Sequence, residues 1–137
     1  MRYLGLDYGA KRIGIAVSDV AGSFAFPRET IPNDYTAIDR LARLVKEEGV
    51  QEVVIGDARA VSGAENPITA ESEKFAKMIE MHLRLPVHSV WEAWSSVEAA
   101  RFAPKGKEHD DSAAAAIILQ RHLDKNRPSQ EDIDEEF

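Results

Sequence analysis

Cysteine is absent from this 137-residue chain, which excludes disulfide staples, thiolate zinc ligands, a cysteine nucleophile and dithiol redox chemistry. Such a chain suits a reducing compartment, and a cytoplasmic location is expected. Long apolar runs are missing too. The longest, Ala113 to Leu119, falls far short of the roughly 20 residues that a membrane span needs. The opening Met1-Arg2-Tyr3-Leu4-Gly5-Leu6-Asp7 has no basic segment leading into an apolar one, so neither secretion nor a membrane partner is expected. Positive charge is also scarce. The net charge is −7, whereas nucleic-acid binders usually present a basic surface. The deficit sits largely at one end: Arg127 to Phe137 hold five acids and one base, and without them 19 acids face 16 bases. Residues 126–137 are expected to form an acidic, disordered tail. Residues 1–125 form the folded domain, on which any basic patch must be local.

What is present is enough for one packed domain. Hydrophobic residues make up 44% of the chain and charged residues 30%, a composition that can bury a core. Residues 2–8 and 12–19 are apolar-rich runs joined by Gly9-Ala10-Lys11, and they predict a strand pair. Gly5 and Gly14 lie inside these runs, where glycine marks the close approach of another backbone or a ligand. Residues 24–31 predict a third strand, placed at an edge by Pro27. Ile38, Leu41, Leu44 and Val45 recur at helical spacing, with Asn33 as the expected N-cap and Gly49 as the stop. Val50 to Ile55 predicts a strand buried in a parallel sheet. After a polar loop at 57–66, a helix opens at Asn66-Pro67 and buries Phe75, Met78, Ile79 and Leu83. Residues 86–91 give a fifth strand. Ser95 or Ser96 caps a short helix ending near Phe102, and a last helix runs from Asp111 to about Lys125. The order predicts one α/β domain, a mixed five-stranded sheet with helices on both faces.

Three features carry candidate chemistry. Asp7-Tyr8-Gly9 ends the first strand, at the sheet edge where open α/β folds bind ligands. Gly9 permits a tight turn, and Lys11 and Arg12 follow it as candidate phosphate contacts. Glu92 follows the fifth strand and so points toward the same edge. Asp110-Asp111 precede the run Ala113 to Ala116. An Asp there caps the helix and complements its dipole, but the alanines also let the helix lie close to the sheet, beside Asp7. Carboxylates crowded together repel and are tolerated chiefly around a cation. Two Mg²⁺ or Mn²⁺ ions about 4 Å apart in such a cluster activate water and stabilise a leaving oxygen. The four histidines show no metal-ligand spacing.

These residues resemble the YqgF (RuvX) family of pre-16S rRNA nucleases, also called Holliday-junction-resolvase-like proteins. The likeness runs over about residues 2–125. Its most specific part is Leu4-Gly5-Leu6-Asp7-Tyr8-Gly9-Ala10-Lys11-Arg12-Ile13-Gly14-Ile15-Ala16-Val17-Ser18-Asp19, and the ending Asp111, Ala114-Ala115 and Ile118-Leu119-Gln120 is similar as well. The resemblance implies a ribonuclease-H-like three-layer fold and a metal-dependent nuclease site with Asp7, Glu92 and Asp111 in the catalytic positions. It implies a nucleic-acid partner, structured RNA such as the 5′ end of pre-16S rRNA or branched DNA, and a monomer or homodimer.

Two segments depart from the family pattern. Gly-Leu-Pro after the fourth strand is replaced by Gly56-Asp57-Ala58, and Asp-Glu-Arg after the fifth by Trp91-Glu92-Ala93. Asp57 is thus a new carboxylate beside the site, a candidate to join or replace Glu92 around the metal, with Arg59 as a substitute phosphate contact. The altered fifth-strand motif keeps a second function class open, a nucleic-acid-binding module without turnover. A third reading, a phosphate loop of an actin- or sugar-kinase-like ATPase, needs two such domains closing over a nucleotide.

Overall fold

Alternating and continuous apolar runs form the strands where their patterns predict them. A computed structural model describes residues 1–57, 67–91 and 111–125. β1 (Arg2–Tyr8), β2 (Arg12–Ser18) and β3 (Ala25–Pro32) form an antiparallel meander. β4 (Val50–Asp57) and β5 (Val87–Trp91) add parallel to β1 in turn. The strand order is β3-β2-β1-β4-β5, the mixed five-stranded sheet expected. β3 is an edge strand, where Pro27 withholds no amide from a central ladder.

Strand alternation divides the core in two. Leu4, Leu6, Ile13, Ile15, Val53 and Ile55 pack with Leu41 of α1 (Ala37–Glu48) and with Phe75 and Ile79 of α2 (Pro67–Leu83). On the other face Ala16 and Val54 meet Ala115, Ile118 and Leu119 of α3 (Asp111–Lys125). The result is three layers, helix–sheet–helix. α3 lies very close to the sheet because both partners are small at the contact. A Cβ on Gly5 would stand 2.6 Å from Leu119 Cβ and 3.0 Å from the Ala115 carbonyl.

Gly49 ends α1 in the left-handed region, φ 66°, as its position predicts. Two expectations are corrected. Asn33 does not cap α1: the helix starts four residues later, where the Ala37 amide donates to the Asp34 carbonyl at 3.1 Å and the Thr36 amide to Asp34 Oδ1 at 2.8 Å. Met78 is not core but 44% exposed, because α2 turns the stripe Thr69, Ser72, Phe75 and Ile79 to the sheet, and Met78 lies beside that stripe. Among the described residues no helix is long and apolar enough to cross a membrane. Of the polar loop expected at 57–66, Asp57 belongs to β4 and residues 58–66 lie outside the described residues, as do the short helix expected near Phe102 and the tail expected at 126–137.

Candidate active site

β1, β4 and β5 run parallel, so their carboxyl ends share one edge of the sheet. Asp7 is half-buried in the penultimate position of β1, and its cross-strand partner is Gly14. Gly14 is where α3 touches down. A Cβ built there would meet the Asp111 carbonyl oxygen at 1.9 Å and Asp111 Cβ at 3.0 Å. Only glycine leaves room for this approach, and it sets the first residue of α3 against the position directly opposite Asp7. Alternation agrees with the placement. Gly5 and Ala16 contact α3, and Asp7 and Gly14 continue those two series.

Asp111 stands in the first turn of α3, where the helix dipole favours a carboxylate. Its Oδ2 forms an ion pair with Arg12 Nε at 3.1 Å. The Arg12 side chain is 70% exposed, so the pair contributes only about 0–1 kcal/mol. Its consequence is local charge, since one cation offsets part of the repulsion between two acidic residues. Sequence reasoning placed Arg12 among the phosphate contacts and missed this pairing, which depends on a helix about one hundred positions away.

Lys11 is exposed on the turn between β1 and β2. That turn needs glycine, because a Cβ on Gly9 would lie 2.6 Å from the Arg12 carbonyl. Asn33, whose position before the helix suggests a cap, binds the turn instead. Its amide donates to the Lys11 carbonyl at 2.9 Å and its Nδ2 to the Gly9 carbonyl at 2.8 Å.

Asp57 is the last residue of β4 and pairs in register with Trp91, the last of β5. It therefore reaches the same edge as Asp7. Earlier in β4, Val54 faces α3 while Val53 and Ile55 face the other helices. Glu92, Arg59 and Asp110 lie outside the described residues. Of the expected carboxylates the fold brings Asp7 and Asp111 together, with Arg12 beside them. Among the described residues no three His, Asp or Glu side chains form a metal-holding group.

The opposite end of the sheet carries a second polar cluster. The His88 and His122 rings stack with centroids 4.8 Å apart, and Tyr3 meets His122 edge-on at 5.8 Å. His88 Nε2 lies 3.4 Å from Glu52 Oε1. Burial, ahead of the nearby His88, holds the His122 pKa below its ordinary value. Burial and the Glu52 carboxylate raise that of Tyr3.

Residues 1–125 match the family model RuvX, described as Holliday junction resolvase. A protein of Chloroflexus aggregans named "Putative pre-16S rRNA nuclease" is 40% identical over 133 residues, covering 90% of this chain and 94% of that one. One of the same name from Leifsonia xyli is 37% identical, covering 90% and 86%. The fold is similar to RuvC from Thermus thermophilus, with a TM-score of 0.63 at 14% identity over 90% of this chain and 94% of that one. It is also similar to the Fowlpox virus resolvase solved with Holliday junction DNA, with a TM-score of 0.57 at 13% identity over 91% and 98%.

Proposed function

The chain belongs to the RuvX family, and we propose that it is a metal-dependent nuclease hydrolysing phosphodiester bonds of structured nucleic acid, with the 5′ end of pre-16S rRNA as substrate. One observation carries this reading. The main chain of Asp111 packs on Gly14 directly across the ladder from Asp7, so carboxylates from the two ends of the domain share one strand end. The substrate is taken from the name of the curated relatives, and a protein acting on it would work in the cytoplasm.

In this reading Asp7, Asp111 and Glu92 hold Mg²⁺ or Mn²⁺, since an all-carboxylate donor set suits a hard cation. Bound there, such ions activate water and stabilise the leaving oxygen of the phosphodiester. Glu92 is taken as the third ligand in preference to Asp57 because the family resemblance gives it a catalytic position. Lys11 takes a backbone phosphate. Arg12 takes a second one while still offsetting the charge of Asp111.

The test is cleavage, in Mg²⁺ or Mn²⁺, of a 5′-extended pre-16S rRNA fragment and a four-way DNA junction side by side. Wild type is expected to cut the RNA, Asp7→Asn and Asp111→Asn to lose that activity, and Asp57→Asn to keep it. Cleavage of the junction alone would make the chain a resolvase, an activity that calls for a two-fold dimer presenting two sites. Binding without cleavage of either would make it a non-catalytic module.

A further inference from the structure

A lysine on an exposed hairpin turn is a poor ligand for phosphate unless the turn is held, because ordering a mobile turn and a long side chain opposes binding. The turn that carries Lys11 is held at three points. The Gly9 amide donates to the Arg12 carbonyl at 3.0 Å. The other two bonds come from Asn33, amide to Lys11 carbonyl and Nδ2 to Gly9 carbonyl. One residue thus fixes the peptide carbonyls on both sides of Ala10. It also follows directly on Pro32, the cross-strand partner of Arg12. Asn33 is half-buried, and the start of α1 does not use its side chain: the N-cap residue is Thr36, which makes no side-chain capping bond, and its amide and hydroxyl both donate to Asp34 Oδ1.

We propose that Asn33 is a positioning residue for nucleic-acid binding: it clamps the Gly9–Lys11 turn so that Lys11 faces the substrate backbone at the strand end carrying Asp7. The inference rests on the nuclease reading above. The chemistry requires a short, neutral donor. Asp at this position would set a carboxylate oxygen against the Gly9 carbonyl, acceptor against acceptor, and Ala would release Gly9 while leaving the main-chain bond to Lys11.

The test measures binding of a fluorescein-labelled, 5′-extended pre-16S rRNA fragment by the full chain across a range of salt. Asp7→Asn is the parent, so that the probe stays uncut. Each phosphate contact adds about 0.7–0.9 to the slope of log Kd against log salt. Lys11→Gln and Asn33→Ala are each expected to weaken binding several-fold and to flatten the slope by about one contact. Their double variant is expected to lose no more than the larger single loss, because both remove the same contact. Asn33→Asp is expected to bind more weakly than Asn33→Ala. A thermal melt of each variant separates clamp from scaffold, with Asn33→Ser substituted if Asn33→Ala does not fold. An unchanged salt slope in a folded Asn33 variant, or additive losses in the double variant, would overturn the role of Asn33 alone. A parent that binds no RNA overturns both this inference and the nuclease reading.

Discussion

The carbonyl oxygen of Asp111 occupies the place a side chain on Gly14 would need, 1.9 Å from the ideal Cβ position. Gly14→Ala must therefore push the start of α3 away from the sheet. Overpacking of this kind costs about 1–3 kcal/mol, which differential scanning calorimetry reads as a lower Tm. Nuclease activity is expected to fall further than stability, since the same displacement carries Asp111 away from Asp7. An active enzyme with only a lowered Tm would show that the two residues need not be held this closely.

Asp111→Asn separates chemistry from stability. Loss of a group that merely supports a metal ligand costs about 10–100-fold in activity or metal affinity, and a direct ligand should cost at least that. The same substitution breaks an ion pair with the exposed Arg12, worth about 0–1 kcal/mol. A nearly unchanged Tm with activity lost is the expected pair of results. The reverse pattern would make Asp111 structural.

Metal binding should appear as stabilisation even without substrate. A ligand that binds only the folded state at one hundred times its Kd stabilises by about 2.7 kcal/mol. Titrating Mn²⁺ into the EDTA-treated protein is expected to raise its Tm, and Asp7→Asn to abolish the rise. An equal rise in both would place the cation elsewhere.

The His88–His122 stack predicts a dependence of stability on pH. Folding lowers the His122 pKa from 6.5, first through burial and then through His88 and Lys125, with Glu52 opposing. The unfolded chain therefore binds the proton more readily. This contribution is fully present above pH 6.5 and is lost as pH falls from there through the lower folded value. His122→Phe keeps a ring against Tyr3 and His88 but cannot titrate, so its Tm should decline less than that of wild type below pH 6.5. Parallel declines would assign the titration to another group.

Much of this molecule was legible before its fold was known, because local physics decides it. Alternation and apolar runs marked the strands, Pro27 marked an edge, and Gly49 marked the end of a helix. Gly5 and Gly14 announced a close approach, although nothing local named the partner. Met78 reads as core from helical spacing, which defines only a broad apolar arc, and the sheet beneath α2 selects which part of it is buried.

The sequence by itself determined the layered α/β order, the family resemblance and the residue types available for the site. Tertiary structure alone decided who meets whom. Asn33 carries the signature of a helix cap, yet its amide and side chain reach back to a turn more than twenty residues earlier. Arg12 reads as a free cation until α3 delivers Asp111 to it. His88 and His122 look unrelated until a helix and a strand lay their rings together. Each pairing depends on register and on helix–sheet distance. Those are set by the packing of the whole core, so no stretch of neighbouring residues encodes them.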